Sequence, residues 1–153
     1  MKVLGFRSDP NTPRYAIVDA SASPLTLLNE SSESRLCFPA DCESDAARVP
    51  WLYGEFERIF HVHPDIAKVV IKIGEFTMAD NKAKRSASYQ EAALILFCGL
   101  KGIPVWTKLY ASVGTRSNQV KEHAIARVGR TTRYWDGRIG DAIIAAWWGA
   151  NNR

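Results

Sequence analysis

The alternation of apolar and polar residues predicts a chain that begins with β-strands. Residues 4–7 and 14–19 are two apolar runs separated by a polar, proline-containing segment, a pattern typical of a β-hairpin. Residues 24–28 can add a third short strand, which would complete an antiparallel meander. Residues 29–45 have no periodic apolar face, so we expect a loop there.

The pattern then changes to alternating helices and strands. Apolar residues recur at helical spacing from Ser44 to Phe60, and Pro64 lies just beyond them, which predicts an amphipathic helix. Residues 68–73 form a β-branched run typical of a buried strand. Residues 74–88 are predicted to be a basic loop that leads into a helix, and residues 105–109 the next strand. Two more helices are predicted at 117–128 and 141–148. The helix after the basic loop should bury one face, formed by Tyr89, Ala93, Leu96, Phe97 and Leu100.

This order of elements restricts the fold. Neighbouring parallel strands need a crossover connection, and the chain offers two strand–helix–strand units after its meander. We therefore predict one α/β domain over residues 1–153, with a mixed five-stranded sheet flanked by helices. The 153 residues, 46% of them hydrophobic, suffice for a single core.

Composition adds a modest preference for an acidic partner. The formal charge is +4 and the isoelectric point is near 9.1, which favours nucleic acid. No apolar run approaches the roughly 18 residues of a membrane span, and residues 1–7 lack the apolar stretch of a secretory signal. Three cysteines cannot all pair with one another, so we expect free thiols and a cytoplasmic protein.

Short motifs along the chain carry a resemblance to a known family. Besides the hairpin at 4–19, they are VVIK at 69–72, MADN at 78–81, GIPV at 102–105, SNQV at 117–120 and RIGDA at 138–142. In this order and spacing they resemble RuvC-type Holliday junction resolvases and their RNase H-like relatives. The resemblance implies an RNase H-like fold, a DNA or RNA partner that is branched or duplex, and a homodimer.

The resemblance also implies a changed catalytic site. The family's carboxylates hold two divalent cations, about 3.5–4 Å apart. At the matching positions this chain has Arg7, Lys72 and Arg138, and only Asp141 remains an acid. A guanidinium or ammonium group cannot ligate Mg²⁺. We therefore expect a degenerate nuclease site that needs no cofactor, where cations hold phosphates directly.

Two alternatives remain open. Asp9 and Glu75 lie close in sequence to Arg7 and Lys72, so either could join Asp141 as a catalytic residue of an active endonuclease that uses Mg²⁺ or Mn²⁺, with Asp141 as a metal ligand. Asp9 is favoured because strand side chains alternate between faces, so a residue two positions after Arg7 lies on the same face as Arg7. The fold could instead serve as a protein-interaction scaffold through its tryptophans, Trp51, Trp106, Trp135, Trp147 and Trp148.

Further basic residues extend the predicted nucleic-acid surface. They are Lys82, Lys84 and Arg85 in the basic loop, and Arg116 and Lys121 near the third predicted helix. Each also has an ordinary interpretation as solvated charge. Asp141 could simply cap the last helix, and we expect Tyr89 in the core. A zinc site at Cys37, Cys42, His61 and His63 is disfavoured by its unusual spacing.

Overall fold

The computed structural model describes residues 1–153, which form five strands and four α-helices. The strands are β1 (Lys2–Arg7), β2 (Arg14–Asp19), β3 (Thr26–Leu27), β4 (Ile66–Lys72) and β5 (Val105–Lys108). The helices are α1 (Asp45–Val62), α2 (Lys82–Lys101), α3 (Val120–Arg127) and α4 (Gly137–Asn151), and a 3-10 helix spans Ala111–Val113. No helix is both long enough and apolar enough to cross a membrane.

The strands form one mixed sheet in the order β3-β2-β1-β4-β5. β2 runs antiparallel to β1 and to β3, whereas β4 runs parallel to β1 and to β5. The predicted meander, the two crossover units and the mixed five-stranded sheet are confirmed. β1 lies in the centre, and β5 is an edge strand.

Strand alternation divides the core into two layers. Leu4 and Phe6 of β1 belong to the hydrophobic cluster beneath α1 and α2, whereas Val3 belongs to the cluster beneath α4. Residues at odd positions of β1 therefore face α4, and so does Arg7 at the end of the strand.

Gly5 allows α4 to approach β1 very closely. A Cβ atom at this position would lie 1.9 Å from the carbonyl oxygen of Ala142 and 2.7 Å from the amide nitrogen of Ala146. The backbone of α4 therefore lies directly against β1. Since Asp141 precedes Ala142, this approach brings its carboxylate to the carboxyl end of β1.

Polar side chains set the starts of the helices and correct two predictions. Asn81 caps α2 by accepting a hydrogen bond from the Lys84 amide, so the helix begins at Lys82 and the predicted loop at 74–88 is too long. Asp136 caps α4 in the same way, so Asp141 lies more than a turn inside the helix. The interpretation of Asp141 as a helix cap is therefore wrong.

The buried face of α2 differs from the predicted one. Ala93 and Phe97 are buried, but Tyr89, Leu96 and Leu100 are 41%, 56% and 67% exposed. Gln90 occupies part of the inner face because its side chain exchanges two hydrogen bonds with the Asp9 backbone, at 3.1 and 2.7 Å. Tyr89 consequently lies on the surface and not in the core.

Candidate functional site

A single row of paired residues places four cations side by side along the edge of the sheet at which β1, β4 and β5 end. Arg14 pairs with Arg7, Arg7 with Lys72, and Lys72 with Lys108 across four neighbouring strands. Paired neighbours point to the same side of a sheet, so all four side chains lie on the α4 side. We call Arg14, Arg7, Lys72 and Lys108 the cation rung. Like charges opposite each other are destabilising, so nearby acids must compensate them.

Asp141 supplies the buried counter-charge for Arg7. Its Oδ2 atom accepts a hydrogen bond from Arg7 Nε at 2.8 Å, and its Oδ1 atom accepts one from the Tyr110 hydroxyl at 2.7 Å. Asp141 is only 2% exposed and Arg7 8%. Burial raises the pKa of Asp141, while the Tyr110 hydrogen bond and the charges of Arg7 and Lys72 oppose the rise. Both carboxylate oxygens are therefore occupied by protein donors.

Lys72 is fully buried beside this pair. Its Nζ atom donates to the Ile73 carbonyl at 2.5 Å, lies 3.7 Å from Glu75 Oε2 and stands 3.9 Å from the centre of the Tyr110 ring. Burial and the neighbouring charge of Arg7 lower the pKa of Lys72. Its ammonium group is thus held by a carbonyl, a carboxylate and an aromatic face.

Tyr110 joins the groups at this edge, although the sequence patterns did not identify it. Its hydroxyl binds Asp141, its ring faces Lys72, and its amide donates to Glu75 Oε1 at 3.2 Å. A usable signal was its place just after the predicted strand at 105–109, where side chains reach the same edge as the other strand ends. Its burial and the Asp141 charge raise the pKa of the Tyr110 hydroxyl, so it remains a donor.

Asp9 lies on the other side of the rung. Its Oδ1 atom accepts hydrogen bonds from the amides of Asn11 and Thr12, both at 2.9 Å, and its Oδ2 atom lies 3.6 Å from Arg138 Nε. Burial acts to raise the pKa of Asp9, but these amide hydrogen bonds and the charges of Arg14 and Arg138 lower it overall. The contacts of Asp9 are with the hairpin turn and with arginines.

Two more acids compensate the cations. Asp136 binds Arg14 Nη2 through Oδ2 at 2.8 Å while it caps α4. Glu91 of α2 accepts a hydrogen bond from the Ser8 hydroxyl, next to Arg7. Burial raises the pKa of Glu91, and the Ser8 hydrogen bond and the charges of Arg7 and Lys72 oppose the rise. Neither acid was identified from the sequence.

The residues at this edge do not fit a Mg²⁺ or Mn²⁺ site. Such hard cations prefer several oxygen ligands. Here both oxygens of Asp141 are bound by protein donors, and the two nearest strand ends carry Arg7 and Lys72. No group of three or more His, Cys, Asp or Glu side chains is arranged to hold a metal, which also applies to the zinc candidates Cys37, Cys42, His61 and His63.

The other predicted cations lie on α2, α3, α4 and the loop before α3. Arg138 lies in the first turn of α4 with a side chain that is 41% exposed. Arg116, with Tyr110 and Glu75, lines an open cavity of about 460 Å³. Lys84 and Arg85 line a second cavity of about 510 Å³ that also includes Glu75. Arg85 is paired with Asp80 at 2.8 Å. Lys82 and Lys121 are exposed in the first turns of α2 and α3.

Two exposed apolar side chains project from the segment between β4 and α2. Phe76 is 83% exposed and Met78 is fully exposed. Phe76 lines the second cavity together with Lys84 and Arg85. The sequence signal was available, because these are two large apolar residues in an otherwise polar and basic segment.

Solved structures, but not family models or curated sequences, include proteins similar to this chain. Neither family models nor curated proteins give a match to this sequence. Thermus thermophilus RuvC in complex with a Holliday junction substrate superposes with a TM-score of 0.77 and 15% identity, covering 96% of this chain and 91% of that one. A second structure of Thermus thermophilus RuvC superposes with a TM-score of 0.76 and 14% identity, covering 96% of this chain and 92% of that one. The yeast mitochondrial Holliday junction resolvase Ydc2 superposes with a TM-score of 0.64 and 13% identity, covering 97% of this chain and 77% of that one. The fold is therefore RuvC-like, as predicted.

Proposed function

We propose that this chain, which has a RuvC-like fold, binds branched or duplex nucleic acid at the cation rung and does not cut it. The observation that carries this proposal is that Arg7 and Lys72 stand side by side at the strand ends, with both oxygens of Asp141 bound by Arg7 and Tyr110. The resemblance implies that Arg7, Lys72 and Arg138 stand where resolvases have carboxylates. DNA is the first candidate, since a structural neighbour is a complex with a Holliday junction substrate. RNA remains to be compared directly.

The buried and exposed cations have different roles in this proposal. Arg7 and Lys72 bind protein groups, so direct contact with a phosphate would require them to leave Asp141 and the Ile73 carbonyl. Their charges are compensated by Asp141 and Glu75. They keep these two carboxylates from repelling a phosphate backbone, and they do so without metal.

The exposed and partly exposed cations make the phosphate contacts. They lie on α2, α3, α4 and the loop before α3, and are Lys82, Lys84, Arg85, Arg116, Lys121 and Arg138. Contacts of this kind position a protein on nucleic acid without reading sequence. We expect the highly exposed side chains of Phe76 and Met78 to insert between bases where stacking is already interrupted, as at a branch point.

Charge reversal tests the phosphate contacts. Arg116→Glu and Arg138→Glu are each expected to weaken binding to a labelled four-way junction roughly tenfold at low salt. Each should reduce the slope of log affinity against log salt by about 1. Fluorescence anisotropy at several salt concentrations measures both. The matched control is Lys101→Glu, which makes the same charge change at the exposed end of α2. Equal losses in all three variants would mean that net charge alone matters.

A second candidate is a metal-dependent endonuclease that uses Asp141 with Glu75 or Asp9 and takes Mg²⁺ or Mn²⁺. One observation favours Glu75: its carboxylate contacts both Lys72 and Tyr110, and Tyr110 binds Asp141. Metal binding at Asp141 would require Arg7 to leave that carboxylate. Cleavage of a junction in the presence of Mn²⁺ distinguishes this candidate from the first.

We also propose a homodimer, formed through the exposed face of α2. This face runs along the helix at intervals of three and four residues and consists of Ala92, Ile95, Leu96, Gly99 and Leu100. Such a continuous apolar strip on a surface helix is typical of a helix–helix interface. The small residues Ala92 and Gly99 would let a second copy approach closely.

Leu96→Glu is expected to convert the dimer to a monomer of 17.1 kDa, since a carboxylate would be buried at the centre of the strip. Light scattering coupled to size exclusion measures the mass. Ile125→Glu is the matched control, because Ile125 is a 47% exposed apolar residue on a different helix, α3. A monomeric wild-type protein would contradict the proposed interface.

A further inference from the structure

Three tryptophans and two cations on β5, α3 and α4 form two stacked groups, which meet at the neighbouring residues Trp147 and Trp148 of α4. Lys108 Nζ stands 4.0 Å above the Trp148 ring, and Trp106 meets Trp148 edge to face at 6.2 Å. The Arg127 guanidinium lies 4.3 Å over the neighbouring Trp147 ring. We call these five residues the tryptophan–cation face. Each of the five side chains is partly exposed.

The hydrophobic core does not account for this face. Trp147 packs against neither of the two hydrophobic clusters, and the Arg127 guanidinium is the group stacked on its ring. An aromatic ring that stays partly exposed beside a stacked cation offers a surface on which a ligand can bind.

The charge of this face is uncompensated. Arg14, Arg7 and Lys72 each have a carboxylate within 4 Å, but Lys108 has none. Arg127 donates to the carbonyls of Val113 and Gly114, which carry no net charge. The face therefore offers two positive charges beside aromatic surfaces.

We propose that the tryptophan–cation face binds a single-stranded segment of nucleic acid. Bases of any sequence stack on aromatic side chains, and neighbouring cations neutralise the phosphates between them. Lys108 belongs to both this face and the cation rung, and β5 is an edge strand, so a nucleic-acid strand bound at the rung can continue past Lys108 onto Trp148. This inference rests on the proposed function and adds the class of substrate: branched nucleic acid with a single-stranded arm.

The test compares an oligothymidylate of fifteen nucleotides with a blunt duplex, each labelled and titrated with the full chain. Trp147→Ala is expected to weaken binding to the oligothymidylate about tenfold. Its affinity for the blunt duplex should stay within about threefold of wild type. Trp147→Phe, which keeps a stacking ring, should recover most of the loss. Trp51→Ala is the matched control, since Trp51 lies in α1, where it packs against Phe38 and the other hydrophobic cluster.

Each outcome separates the two proposals. Duplex binding without oligothymidylate binding would overturn the single-strand inference and leave the proposed function intact, whereas no binding to either would overturn both. An unchanged oligothymidylate affinity in Trp147→Ala, or an equal loss in Trp51→Ala, would overturn the inference. Equal competition by a polyglutamate peptide would also overturn it, because the face would then recognise charge without bases.

Discussion

Replacing Asp141 by alanine is expected to lower the free energy of unfolding by about 3–5 kcal/mol, because Arg7 would remain buried without a counter-charge. The pair is almost fully buried, and its Nε–Oδ2 distance is 2.8 Å. Removal of the carboxylate also leaves the Tyr110 hydroxyl without its acceptor. Urea denaturation followed by circular dichroism measures the loss.

Two variants test the cause of this loss. Asp65→Ala removes a carboxylate that is 58% exposed and paired with Lys2 at 2.9 Å, and it should cost much less stability, because solvent screens an exposed ion pair. The double variant Arg7→Met/Asp141→Leu should recover most of the stability, because a buried pair can be replaced by apolar residues at little cost. A loss in Asp141→Ala no larger than that in Asp65→Ala would contradict the buried network.

Replacing Gly5 by alanine is expected to cost at least about 3 kcal/mol or to prevent folding, because the added methyl group would collide with the backbone of α4. The carbonyl oxygen of Ala142 would lie only 1.9 Å from the new Cβ atom. Relief of this contact requires α4 to move away from β1, which also separates Asp141 from Arg7. Thermal and urea unfolding measure the change.

Gly54→Ala is the matched control for this prediction. Gly54 lies inside α1, and a Cβ atom there would meet nothing within 4 Å. Alanine favours helix more than glycine does, so this variant should gain about 0.5–1 kcal/mol. A Gly5→Ala protein as stable as Gly54→Ala would mean that α4 does not lie against β1 as described.

The sequence predicted the order of elements well because periodicity is a local property. The helix at α1 has a clear helical period, and the strands at β1 and β4 are short apolar runs. Their order then allowed few topologies, since parallel neighbours require crossovers. The resemblance brought Arg7, Lys72 and Asp141 together before any distance was known, and the structure places Arg7 against Lys72 and Asp141.

The rest of the candidate site depends on strand register and helix rotation, which local patterns do not encode. Arg14 and Lys108 enter the cation rung only because their strands pair in a particular register with β1 and β4. Tyr110 reaches Asp141 from a loop. The rotation of α2 depends in part on Gln90, whose hydrogen bonds to the distant Asp9 backbone have no local signal.

The start of α2 could have been predicted from the sequence. Asn81 is a strong capping residue, and α2 begins immediately after it. With this signal, Lys82, Lys84 and Arg85 would have been placed in a helical turn. A helical turn fixes their spacing more firmly than a loop does.

The most direct test of non-cleaving binding is a titration of the wild-type protein into labelled four-way junction and plain duplex. Parallel samples contain Mn²⁺ or EDTA, and both the mobility shift and the cleavage products are read. We expect a shift that weakens with salt, is the same with Mn²⁺ and EDTA, and gives no cleavage products. Discrete cuts that require Mn²⁺ would contradict this expectation and would mean that an active site forms around Asp141.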